Sequence, residues 1–160
     1  MRCGTSRLSY APGDDSALHV STTSARYSVK IARVGAKREP VWKKDEVAGA
    51  NHPIPDNVST HGCGWPVAVS IRVPDEWPSG YYSVTLKATA ADGKPVQQEA
   101  FFVVRSAHPG KRARILLQLT TNTYNAYNNW GGPCLYESGA TSSARNTRSS
   151  VTNATAVNSR

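Results

Sequence analysis

Long apolar runs are missing from this 160-residue chain. Nowhere do about 18 consecutive apolar residues occur, so no membrane-spanning helix is expected. The first residues, Met1-Arg2-Cys3-Gly4-Thr5-Ser6-Arg7, are not followed by an apolar core, so they do not read as a secretory signal. A cytoplasmic location is the expectation. Cysteine is sparse and odd in number: Cys3, Cys63 and Cys134, widely spaced and without a CxxC pair. A disulfide framework and a structural zinc site are both disfavoured. His61 and Cys63, with His52 nearby, make at most half a metal site, and a turn around Gly62 and Gly64 explains the segment as well. No Gly-x-Ser-x-Gly elbow exists, and the residues around Cys63 offer no strand-to-helix context to activate its thiol. The four histidines, His19, His52, His61 and His108, fall in loop-like surroundings with no triad spacing.

Charge is not scarce but is unpatterned. The net charge is +8 and the pI about 9.7. No Lys/Arg block reaches five residues. Arg145, Arg148 and Arg160 lie in an acid-free tail; without them, 16 basic residues face 11 acidic ones, or +5. A basic pI without a motif reads as scattered solvated charge, so no nucleic-acid partner is expected.

What is present is period-two alternation. Val67, Val69, Ile71 and Val73 share one face of a run that ends at Pro74. Pro78, Ser79 and Gly80 make a turn. Tyr82, Val84, Leu86 and Ala88 then share a face, Asp92-Gly93 marks a tight turn, and Ala100, Phe102 and Val104 align on the return. Residues 27–34 form an earlier strand with Val29 and Ile31 inward. Residues 35–64 read as a long irregular connection, with a short edge strand at 40–44. Short strands between turns, with no helical periodicity, predict an antiparallel sandwich of immunoglobulin-like type over residues 1–105, with 67–105 as adjacent strands.

A polar linker, 106–113, follows. Residues 115–119 are a short apolar run that reads as a strand buried on both faces, as in a parallel sheet. It stops in a cluster of Asn, Thr, Tyr and Trp, where open α/β sheets gather functional groups. Residues 122–130 read as the start of a helix or as a functional loop. Residues 138–160 contain only Val151 and Val157 as larger apolar residues and are expected to be disordered. Nothing after Tyr136 supplies neighbours for a buried strand. The expectation is therefore a second domain, 114–137, cut off after its first strand; the alternative is that 115–119 adds to the sandwich edge.

The segment Thr121-Asn122-Thr123-Tyr124-Asn125-Ala126-Tyr127-Asn128-Asn129-Trp130-Gly131-Gly132, with Leu135-Tyr136 after it, resembles the N,N-dimethylformamidase large-subunit family. Ile71-Arg72-Val73-Pro74-Asp75-Glu76-Trp77-Pro78-Ser79-Gly80-Tyr81-Tyr82 and Phe101-Phe102-Val103-Val104-Arg105 agree with it. The resemblance covers residues 67–136 well. It implies a sandwich followed by an α/β domain of glutamine amidotransferase-like type. It also implies a small-amide hydrolase whose mononuclear iron is held by two tyrosines and a glutamate. Phenolate and carboxylate are hard oxygen donors suited to a ferric Lewis acid. Tyr127 matches one ligand tyrosine best and Tyr124 second; Glu137 is too near in sequence to be the distant glutamate. Partners implied are a small subunit or further copies. A fragment of this kind is expected to be catalytically incomplete and to bind no iron alone. The other reading is a non-catalytic β-sandwich interaction module, with Trp65, Trp77, Tyr81 and Tyr82 as its contact surface.

Overall fold

A computed structural model describes residues 1–56, 58–111, 116 and 118–127. They form a mainly β protein of two sheets. Strands β1 (Arg2–Thr5), β2 (Ser9–Tyr10), β3 (Asp15–Ser21), β4 (Arg26–Val34) and β5 (Arg38–Ala48) precede a short helix, α1 (Val58–His61). Strands β6 (Val67–Arg72), β7 (Gly80–Thr89) and β8 (Pro95–Val104) follow, and a second helix, α2 (Thr121–Ala126), comes after the linker. One sheet has the order β1-β3-β6 and is antiparallel. The other has the order β2-β8-β7-β4-β5, antiparallel except for the parallel β2-β8 pair.

The two sheets share one hydrophobic core, because most strands turn one face inward. Leu18, Val20, Val69 and Ile71 enter it from the three-stranded sheet. Val29, Ile31, Tyr82, Val84, Leu86, Phe102 and Val104 enter it from the five-stranded one. Tyr82 ties one end. Its ring lies between Trp77 (centroids 5.0 Å apart) and Phe102 (5.6 Å), and its hydroxyl donates to the Pro78 carbonyl at 2.6 Å. The hydroxyl of a buried Tyr is thereby satisfied. The β7–β8 hairpin closes at the expected place: Gly93, at φ 79°, donates to the Ala90 carbonyl at 2.9 Å.

Four expectations need correction. The strand expected at 40–44 runs the whole length of β5, Arg38–Ala48. It is an edge strand wet on both faces along most of its length, so alternation does not mark it, and register shifts interrupt its pairing with β4. Val67 is 54% exposed, although Val69, Ile71 and Val73 are buried. The register shifts between Leu18 and His19, leaving Ala68 as an extra residue and turning Val67 off the core face. Strand β6 is not a neighbour of β7. It pairs with β3 in the other sheet, and the Pro74–Pro78 stretch carries the chain across. Finally, the described residues of 115–119, namely Leu116, Gln118 and Leu119, are not in a strand, and Leu116 is 90% exposed. A strand needs a partner for its backbone donors and acceptors. Residues 128–160, including the tail at 138–160, Trp130, Cys134, Tyr136 and Glu137, lie outside the described residues.

Candidate functional site

Helix α2 carries the tyrosine–asparagine motif. Its turns are closed by Tyr124 N–H donating to the Thr120 carbonyl at 3.2 Å and Tyr127 N–H to the Thr123 carbonyl at 3.1 Å. Spacing of three makes Tyr124, on α2, and Tyr127, just past its end, neighbours on one side of the helical turn. Their environments differ. The ring of Tyr124 meets that of Phe101 at 72° with centroids 6.2 Å apart, and Phe101 in turn stacks on Tyr81 at 4.9 Å. Phe101 belongs to the outer face of the five-stranded sheet, yet only 2% of it is exposed. The sheet thus buries an aromatic on its solvent side, and α2 contributes to the cover. Tyr127 is 63% exposed.

Beside this cluster Arg38 and Glu99 face each other at 3.9 Å, and Gln97 donates to the same carboxylate at 3.4 Å. Burial pushes the Tyr81 hydroxyl up from the ordinary tyrosine range. Tyr124 and Glu99 push it further and Arg38 opposes them, so these four groups lie close together. A shallow depression of about 190 Å³ on the same sheet face is lined by Lys30, Ala32, Arg38, Pro40, Thr85, Lys87 and Gln97.

Phenol oxygens are available for a hard metal ion among the described residues. Among them, no group of three or more His, Cys, Asp or Glu could hold a metal. His52 lies against Trp65, 6.3 Å between ring centroids, and His61 ends α1. Cys63 is a free, half-buried thiol that burial pushes up from the ordinary range, so it is not an activated nucleophile. The aromatic contact surface expected of an interaction module is also overturned. Trp65 is 7%, Trp77 8% and Tyr82 0% exposed, because they fill the core and its ends; of the four, Tyr81 alone is half-exposed. His19, expected in a loop, lies on β3. No helix among the described residues is long and apolar enough to cross a membrane.

A family model described as N,N-dimethylformamidase beta subunit-like, C-terminal, matches residues 28–159. That span runs from inside β4 through Tyr124 and Tyr127. No curated protein matches the chain.

Proposed function

The chain belongs to the N,N-dimethylformamidase beta subunit-like family, in its C-terminal region, and on that premise we propose that it forms part of the large subunit of an amide hydrolase. In this reading the two sheets are an immunoglobulin-like sandwich, and the residues after the linker begin an α/β domain of glutamine amidotransferase-like type. The substrate is a small amide, the setting is the cytoplasm, and a small subunit or a second copy joins the assembly. Tyr127 is one ligand of a mononuclear iron site whose other donors come from outside the described residues. The observation that favours Tyr127 over Tyr124 is the Phe101 contact. Tyr124 sets its ring against Phe101 of the sandwich and is 53% exposed, whereas Tyr127, just past the end of α2, is 63% exposed.

In this reading the described residues supply one phenolate, and the expectation is that the chain alone neither holds iron tightly nor cleaves amides. A single phenolate does not make a metal site. The test is visible absorbance after adding ferric iron, because tyrosinate-to-iron charge transfer is coloured, together with amine release from N,N-dimethylformamide. The expected result is a colourless protein and no dimethylamine. A coloured preparation that bleaches on Tyr127→Phe would show that this chain completes an iron site. In the assembled large subunit, Tyr127→Phe is expected to abolish the colour and Tyr124→Phe to keep it; the reverse order would exchange their roles.

A further inference from the structure

On the three-stranded sheet, away from α2, Ser6 and His19 form a pair that the amidase reading leaves unused. Strand β1 pairs with β3, with Gly4 opposite His19 and Thr5 opposite Leu18. Just past the end of β1, Ser6 N–H donates to the Ala17 carbonyl at 3.0 Å and extends the ladder. Both backbones are therefore fixed, and they bring Ser6 Oγ to 2.7 Å from His19 Nε2.

The other ring nitrogen decides the polarity of this contact. His19 Nδ1 lies 2.7 Å from the Trp65 carbonyl oxygen and 3.1 Å from that of Pro66. Carbonyl oxygens can only accept. In the neutral ring Nδ1 therefore carries the hydrogen, Nε2 carries the lone pair, and the Ser6 hydroxyl donates to Nε2. The Trp65 carbonyl is itself well held: the residue is buried and its indole N–H donates to the Pro53 carbonyl at 2.8 Å. A hydroxyl donating to an imidazole whose far nitrogen is fixed by a third group is the arrangement of an activated nucleophile. Ser6 is exposed and His19 is half-buried, so an acyl carbonyl can approach Oγ while the base stays in place.

We propose that Ser6 is a nucleophile activated by His19, with the Trp65 main-chain carbonyl orienting the base, and that it accepts acyl groups from small aryl esters. Ser6 Oγ attacks the ester carbonyl carbon and its proton passes to His19 Nε2. The bond from the acyl carbon to the aryl oxygen breaks, and the aryloxide leaves with the electron pair. The imidazolium then returns its proton to the solution or to the leaving group. Water then attacks the acyl carbon and gives a proton to Nε2, the bond from the acyl carbon to Ser6 Oγ breaks, and Oγ takes that proton back from Nε2 as the carboxylic acid leaves. Aryl esters are the substrate class because their leaving group departs without an enclosed pocket to stabilise it.

The full chain is incubated with p-nitrophenyl acetate, and acetylated residues are located by peptide mass spectrometry. Acetyl is expected on Ser6 well above its level on Ser9 and Ser79 of the same molecules, and none at that position in Ser6→Ala. His19→Gln is expected to lower Ser6 acetylation at least about a hundredfold, the low side of what general-base catalysis supplies. Ser6 acetylated no more than the other serines of the unaltered chain overturns the proposal. So does a His19→Gln protein that keeps the same unfolding curve and the same Ser6 acetylation. The wild-type comparison among serines decides the matter even if the His19 variant fails to fold.

Discussion

The ring of Tyr124 stands at 72° to that of Phe101, 6.2 Å between centroids, and this contact joins the tyrosine–asparagine helix to the outer face of the five-stranded sheet. Edge-to-face aromatic pairs contribute about 0.5–1.5 kcal/mol beyond the area they bury. A double-mutant cycle with Phe101→Leu and Tyr124→Leu should therefore give a coupling energy of about that size in urea unfolding. Additive effects within about 0.3 kcal/mol would mean that α2 does not dock there in solution.

The same contact bears on removal of the chain after Ser106. The eight strands of the described residues and their shared core precede that point, so the shortened protein should still unfold cooperatively. It would, however, uncover Phe101 and Tyr81. Binding of an apolar fluorescent dye should rise relative to the full chain. An unfolded product would show instead that the segment after the linker is required for the sheet.

The core makes a plainer forecast. Leu86 has no exposed surface and sits on β7, the strand between β8 and β4. Leu86→Ala removes buried atoms and leaves a cavity, at a cost of about 2–5 kcal/mol. A loss below about 0.5 kcal/mol, typical of surface positions, would remove Leu86 from the core.

How much of this was legible depends on what each face meets. Strands β7 and β8 could be read because one face is apolar and the turn at Asp92-Gly93 separates them. Their inward residues, Tyr82, Val84, Leu86, Ala100, Phe102 and Val104, are all buried. Strand β5 could not be read at full length, since an edge strand wet on both sides has no reason to alternate. Phe101 falls on the face that alternation assigns to solvent, and its burial depends on neighbours outside its own strand. The bulge that exposes Val67 is a property of two strands and is invisible in one. Trp65 and Trp77 sit among turn residues and so resemble a surface patch; they are instead buried. Tyr124 and Tyr127 stand out in the sequence by their unusual setting. The Ser6–His19 pair, 13 residues apart, exists only through the β1–β3 register.

Tyr27 offers a test in which deleting a polar group should do no harm. Its ring is buried in the core, and its hydroxyl oxygen is buried without a hydrogen-bond partner. Leaving a polar atom so placed costs about 1–3 kcal/mol. Tyr27→Phe keeps the ring and removes that oxygen, so the melting temperature should hold or rise. A loss of more than about 1 kcal/mol would mean that the hydroxyl makes a bond in solution.

Cys3 gives the fold a dependence on alkaline pH. The residue is 1% exposed, and burial pushes its thiol up to about 12, slightly opposed by the positive chain terminus. An unfolded thiol ionises near about pH 8.5. The folded value is the higher one, so the native state keeps its proton where the unfolded state has lost it. Stability from this group is fully present below about pH 8.5 and falls as pH rises toward about 12, by up to about 1.4 kcal/mol per pH unit. Tyr27, Tyr81 and Tyr82, also pushed up mainly by burial, add losses of the same sign at higher pH. The window between about pH 9 and about pH 10 lies below the tyrosines, and Cys63, also pushed up by burial, is common to the two proteins compared. There, urea midpoints of the native chain should fall more steeply with pH than those of Cys3→Ala, whatever the offset between the two proteins. Parallel slopes would show that the Cys3 thiol meets water in the folded state.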